Sequence, residues 1–145
     1  QRSHISKRQK FSVIIRNPNE VPHRRGLNSI VVDPQSKDES FVFTASRDRL
    51  IKLGKLTCDL EAHLITDLDS HTDWVNQIIL VPEARNTLIS CSNDTTIKIW
   101  RLDQLNKIKD KKTKPFSTLN DHEDSVRCID YSKAQGKLFS AADDG

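Results

Sequence analysis

Histidine, a hydroxyl residue and aspartate recur as a set three times along this 145-residue chain: His23, Thr44 and Asp48; His71, Ser90 and Asp94; His122, Ser140 and Asp144. One such set could run nucleophilic hydrolysis, the histidine serving as base for the hydroxyl and the aspartate holding the imidazole tautomer. Repetition argues against that use. A catalytic centre is needed once, whereas a structural device is needed once per repeating unit. Buried polar groups must find partners, and a His–Asp–hydroxyl chain can tie a connecting loop to a sheet. The sets are therefore expected to be internal fasteners, with no catalytic residue among them. No cofactor or metal is expected either. Cys58, Cys91 and Cys128 lie more than thirty residues apart, without paired zinc or redox spacing.

Fasteners need elements to fasten. The histidines are 48 and 51 residues apart, and each is followed at +4, +7 and +9 by apolar residues. These are Leu27, Ile30 and Val32, then Val75, Ile78 and Leu80, then Val126, Ile129 and Tyr131. A regular strand puts every second residue on one face, so a step of three demands a phase slip. A β-bulge supplies it and bends the strand. The Ile, Val and Thr content of these segments favours strand over helix. A second strand ends at Thr44, Ser90 and Ser140, each four residues before its aspartate. A third follows the turn, at 50–53 in the first copy and 96–100 in the second. Fourth strands are expected at 63–68 and 115–119. Four short strands per period make the blade of a β-propeller. The fold class expected is all-β: a partial propeller of about two and a half blades plus a leading strand.

The remaining residues fill in this plan. Residues 11–16 (FSVIIR) read as one extra strand that would close the ring, and residues 1–10 as a basic flexible tail. Blade one is placed at 23–68, blade two at 71–119 with a basic loop at 102–113, and an incomplete blade three at 122–145. Trp100 ends an alternating strand (TTIKIW) and is expected to be buried with its indole hydrogen-bonded. Trp74 sits where a loop enters a strand, beside Asp73 and Asn76. It reads as an exposed contact or as packing against a neighbouring blade. Arg47, Arg49 and Arg127 lie on the same rim, and loops on a rigid scaffold carry most binding functions. These six residues are the candidate partner-binding set.

Charge and hydropathy narrow the partners. Lys plus Arg number 23 and Asp plus Glu 20, so the net charge of +3 is small for a nucleic-acid binder. The basic loop lacks interleaved aromatics for base stacking. No apolar run approaches the ~20 residues that span a bilayer, so no membrane insertion is expected. A sparse, odd cysteine count fits an intracellular setting, cytoplasm or nucleus.

The segments HTDWVNQIIL, TLISCSNDTTIKIW and DHEDSVRCIDYSKAQGKLFSAADDG resemble the WD-repeat family. Within it, HTDWVN and the DTTIKIW strand look like the propeller subunit that activates ubiquitin-specific proteases. The resemblance runs from about Phe11 to Gly145. It implies a non-enzymatic scaffold that binds a deubiquitinase catalytic domain and raises its activity, with ubiquitin as a further partner. A WD-repeat assembly platform in another complex, such as trafficking or RNA processing, is the alternative. A hydrolase using one His/Ser/Asp set is the third reading. Two departures from the pattern stand out. Gly54 occupies the place of Trp100, six residues after the aspartate, so blade one lacks that indole. The chain also stops at Gly145, before a third strand of blade three, as a fragment or a truncated relative would.

Overall fold

A computed structural model describes residues 22–34, 39–57, 62–81, 83–84, 86–103 and 113–145. The tail, the leading strand at 11–16 and most of the basic loop lie outside the described residues. Among the described residues the chain is all-β, apart from a short 3-10 segment at 102–103. The described residues contain ten strands in three antiparallel sheets. The first sheet contains β1 (Leu27–Pro34), β2 (Glu39–Ser46), β3 (Leu50–Thr57) and β4 (Ala62–Asp69) in sequential order. The second contains β5 (Val75–Val81), β6 (Thr87–Ser92), β7 (Ile97–Arg101) and β8 (Ser117–Leu119), again in order. The third pairs β9 (Val126–Ser132) with β10 (Lys137–Ala142).

The step of three becomes a bulge in every copy. The β1–β2 register shifts between Leu27 and Ser29, and the β5–β6 register between Val75 and Gln77. In the third sheet, Ala142 pairs Val126 while Ala141 pairs Cys128. Each slip lies between +4 and +6 from the histidine, as the apolar spacing requires. The third strand of blade one is longer than the expected 50–53. It runs to Thr57 because β2 and β3 pair from Ala45 with Ile51 out to Glu39 with Thr57. A second irregularity falls at Leu53/Gly54 against β4. Glycine is common at such breaks because it leaves room for backbone distortion.

The sheets stack through their inner strands, β1 on β5 and β5 on β9, with β2 also touching β5 and β6 touching β9. One apolar cluster lies between the first and second sheets, where Phe43, Ile51 and Leu68 meet Val75, Ile78 and Trp100. Another lies between the second and third, where Ile89, Cys91 and Ile97 meet Val126 and Ile129. The +4 and +7 side chains of β5 and β9 thus face the preceding sheet. Where a preceding sheet is described they are buried: Ile78 is 2% exposed and Ile129 3%. In β1 the same positions are open, with Ile30 at 62%.

Polar side chains cross the same boundaries. Asn28 Nδ2 donates to the Val75 carbonyl at 3.0 Å, and Asn76 Nδ2 to the Val126 carbonyl at 2.7 Å. One residue further on, Ser29 Oγ accepts from the Ile78 amide and Gln77 Oε1 from the Ile129 amide. β5 and β9 are edge strands of their sheets, and side chains of the preceding sheet bond backbone groups on them.

Candidate functional site

The three polar sets close as hydrogen-bonded chains. His23 Nδ1 meets Asp48 at 2.9 Å and its Nε2 meets Thr44 Oγ1 at 2.9 Å. His71 Nδ1 meets Asp94 at 2.7 Å and its Nε2 meets Ser90 Oγ at 2.8 Å. His122 repeats the pattern with Asp144 at 2.9 Å and Ser140 at 2.8 Å. Each aspartate also accepts the amide following its histidine, from Arg24, Thr72 and Glu123 in turn. The carboxylates therefore join the entry loop, the second strand and the turn. In the first two blades, Ser46 and Ser92 add a bond to the turn, accepting the amides of Asp48 and Asp94. Ala142 stands at that place in the third.

The middle chain is the most complete. Trp100 Nε1 donates to Ser90 Oγ at 2.9 Å, and both residues are buried, at 1% and 0% exposure. With Asp94 ionised, the histidine donates through Nδ1 and accepts the serine proton at Nε2. Every polar hydrogen then has an acceptor. Burial pushes the Asp94 carboxyl up, but hydrogen bonds from His71 and Thr96 outweigh it and hold the group well below the usual carboxylate range. Burial likewise raises Asp48, while the Arg24 amide and His23 bring it below its ordinary value. For Asp144, the Glu123 amide and His122 do the same.

Interatomic distances alone would suit acyl transfer, but the setting of Ser90 does not. Its oxygen is sealed from solvent and accepts an indole N–H, so no substrate carbonyl can approach it. Among the described residues no cluster of His, Cys, Asp and Glu is suited to a metal ion. No helix there is long and apolar enough to cross a membrane.

The rim residues divide into two groups. Trp74 is half-buried, and the Arg47 guanidinium lies over its ring at 4.8 Å from the centroid. The two readings of Trp74, contact residue and inter-blade packing, thus meet in one side chain. Arg47 is exposed and also donates through Nε to Asn28 Oδ1 at 3.1 Å. Arg49 is exposed at the tip of the β2–β3 turn, with φ of 76°. Exposed Asp73 caps the Trp74 amide at 2.7 Å. Asn76 is committed inward, to Val126 and to Asn93 Oδ1. Arg127 lies apart, bonded through Nε to Asp143 at 2.8 Å and reaching Asn93 at 3.4 Å.

Sequence reasoning missed a groove beside Trp74. It is about 760 Å³ in volume, and its walls include Arg24, Arg25, Arg47, Arg49, Lys52 and Trp74. Lys52 is 8% exposed, with its ammonium on Asp67 at 2.8 Å. The pairing of arginines in Arg24-Arg25 and around Asp48 was the available signal, but only the fold brings both pairs to one hollow.

Comparison with known proteins agrees with this architecture. The profile of the WD40 family (WD domain, G-beta repeat) matches residues 61–101 and 113–145, half of the chain. Coatomer subunit beta' of Rattus norvegicus is 39% identical over 77 residues, covering 52% of this chain and 8% of that protein. With three stacked sheets, a bulge in each inner strand and a His–Asp–hydroxyl chain per repeat, the chain belongs to the WD40-repeat family.

Proposed function

We propose that this chain is a non-enzymatic scaffold whose rim binds a ubiquitin-specific protease and raises its activity, with ubiquitin as a second partner. The observation that carries the binding role is the Trp74–Arg47 pair. An aromatic ring held half-open by a cation on a rigid sheet edge has the character of an interface anchor. The protease itself is inferred from HTDWVN and TLISCSNDTTIKIW, the segments that look like the activator subfamily. Both segments border this rim. The three polar chains are, on this reading, fasteners that hold the loops in place.

The test is to add the full chain at saturation to a ubiquitin-specific protease and follow cleavage of a fluorogenic ubiquitin substrate. Increased turnover is expected, and a Trp74→Ala variant should need roughly 30-fold more protein to reach it, as a hot-spot truncation of about 2 kcal/mol implies. Unchanged turnover with folded protein would reject the protease as partner. The match to a coatomer subunit favours a second reading, an assembly platform in a trafficking complex. Pull-down on the full chain separates the two by the partner recovered.

A further inference from the structure

The groove beside Trp74 has a chemistry of its own. Four arginines and Lys52 line it against three aspartates, Asp48, Asp67 and Asp69. Asp48 bonds His23 and Asp67 pairs with Lys52, and five cations against three carboxylates leave the hollow with excess positive charge. Its walls carry three uncharged residues, Pro22, Leu50 and Trp74, and the other lining residues are all charged.

Arg49 adds a separate observation. Its left-handed backbone is matched by Thr95 (φ 70°) and Gly145 (φ 88°), each directly after the aspartate of its repeat. A side chain at such a position is strained, and glycine is the relaxed choice. That turn position takes threonine in the second repeat and glycine in the third, and in the first it sets the exposed Arg49 at the mouth of the basic hollow.

We propose that this groove binds an acidic peptide segment carrying two or three Asp or Glu side chains. The guanidiniums of Arg24, Arg25 and Arg49 take carboxylates, and the Trp74 edge takes an intervening apolar side chain. Guanidinium forks suit carboxylates because two parallel N–H donors match two oxygens. A peptide fits better than a nucleic acid. A phosphate backbone carries charge at every unit and would run against Asp67 and Asp69, whereas a peptide can place its charges only where the arginines are. The inference rests on the rim being a partner surface, but not on the partner being a ubiquitin-specific protease.

The test uses the full chain and a fluorescein-labelled twelve-residue peptide with three Glu residues among apolar and neutral polar ones, read by polarisation at low and high salt. Binding that weakens with salt is expected, together with a loss of about tenfold or more in Arg49→Gly, as removal of a charge-assisted bond implies. Arg49→Gly should leave the thermal midpoint unchanged or higher, since it relieves backbone strain. An Arg24→Glu/Arg25→Glu double variant provides an independent loss of binding. Equal binding of a lysine peptide, tighter binding of a single-stranded RNA of equal length, or full affinity in both variants overturns the proposal. Failure here with protease activation intact would remove the acidic ligand alone. Success here without protease activation would remove the protease alone.

Discussion

Trp100 donates its indole N–H to Ser90 Oγ at 2.9 Å, and Ser90 in turn bonds His71 Nε2 at 2.8 Å, so one hydroxyl satisfies two buried groups. In the first blade, among the described residues, Thr44 serves only His23, since Gly54 stands where the indole would be.

Ser90→Ala should therefore cost more than Thr44→Ala. The first orphans both the indole and the imidazole, each at about 1–3 kcal/mol, and the second orphans one group. Urea unfolding of the two variants should separate them by about 1–2 kcal/mol. Equal losses would mean that the indole bond contributes nothing.

Ile30 and Ile78 hold the same place in successive repeats but face different surroundings, at 62% and 2% exposure. Ile78→Ala should destabilise by about 2–5 kcal/mol, as for other buried isoleucines. Ile30→Ala should stay within about 0.5 kcal/mol of the parent. A denaturant series on both variants is sufficient to check this.

Acid should loosen the second blade through Asp94. Its folded carboxyl lies below its unfolded value, so its contribution is complete above the ordinary carboxylate range. That contribution declines as pH falls below about 4 and is gone once pH passes the folded value. Asp94→Asn should lose about 1–3 kcal/mol at neutral pH and show a flatter stability curve in acid. A curve of unchanged slope would assign the acid response elsewhere.

The repeat, its four-strand blades and the three polar chains were legible because each depends on residues close in sequence to their own histidine. The bulge was legible too, since a step of three on one face has few physical solutions in a strand. What +4 and +7 would face was not. Leu27, Ile30 and Val32 look as much like core as their counterparts, and only the neighbouring sheet decides their burial. Asn76 illustrates the same limit from the polar side. It sits beside Trp74 and reads as a rim contact, yet its amide is spent on a carbonyl 50 residues away. The groove was hidden because Lys52 and Asp67 lie on the third and fourth strands, where the pattern is weakest.

Trp74 and Asn76 should accordingly separate by assay. Asn76→Ala strands the Val126 carbonyl and should destabilise by about 1–3 kcal/mol. Trp74→Ala should reduce partner affinity by more than it reduces the unfolding free energy. Binding and melting measured on the same two proteins would reveal any reversal of that order.

Cys91 and Cys128 should differ in reactivity. The Cys91 thiol is buried and pushed up to about 12 by desolvation, while Cys128 is exposed. Iodoacetamide should label Cys128 in the folded protein and reach Cys91 only on unfolding. Mass spectrometry of the labelled peptides gives the answer.

The slip shared by β1, β5 and β9 gives every repeat the same bend at the same place. The strands beneath a loop therefore do not need to know what that loop carries. An arginine can stand at one turn, a threonine at the next and a plain glycine at a third, with the bulge of each inner strand unchanged. Such a molecule can change what it recognises one repeat at a time while keeping the way it coheres.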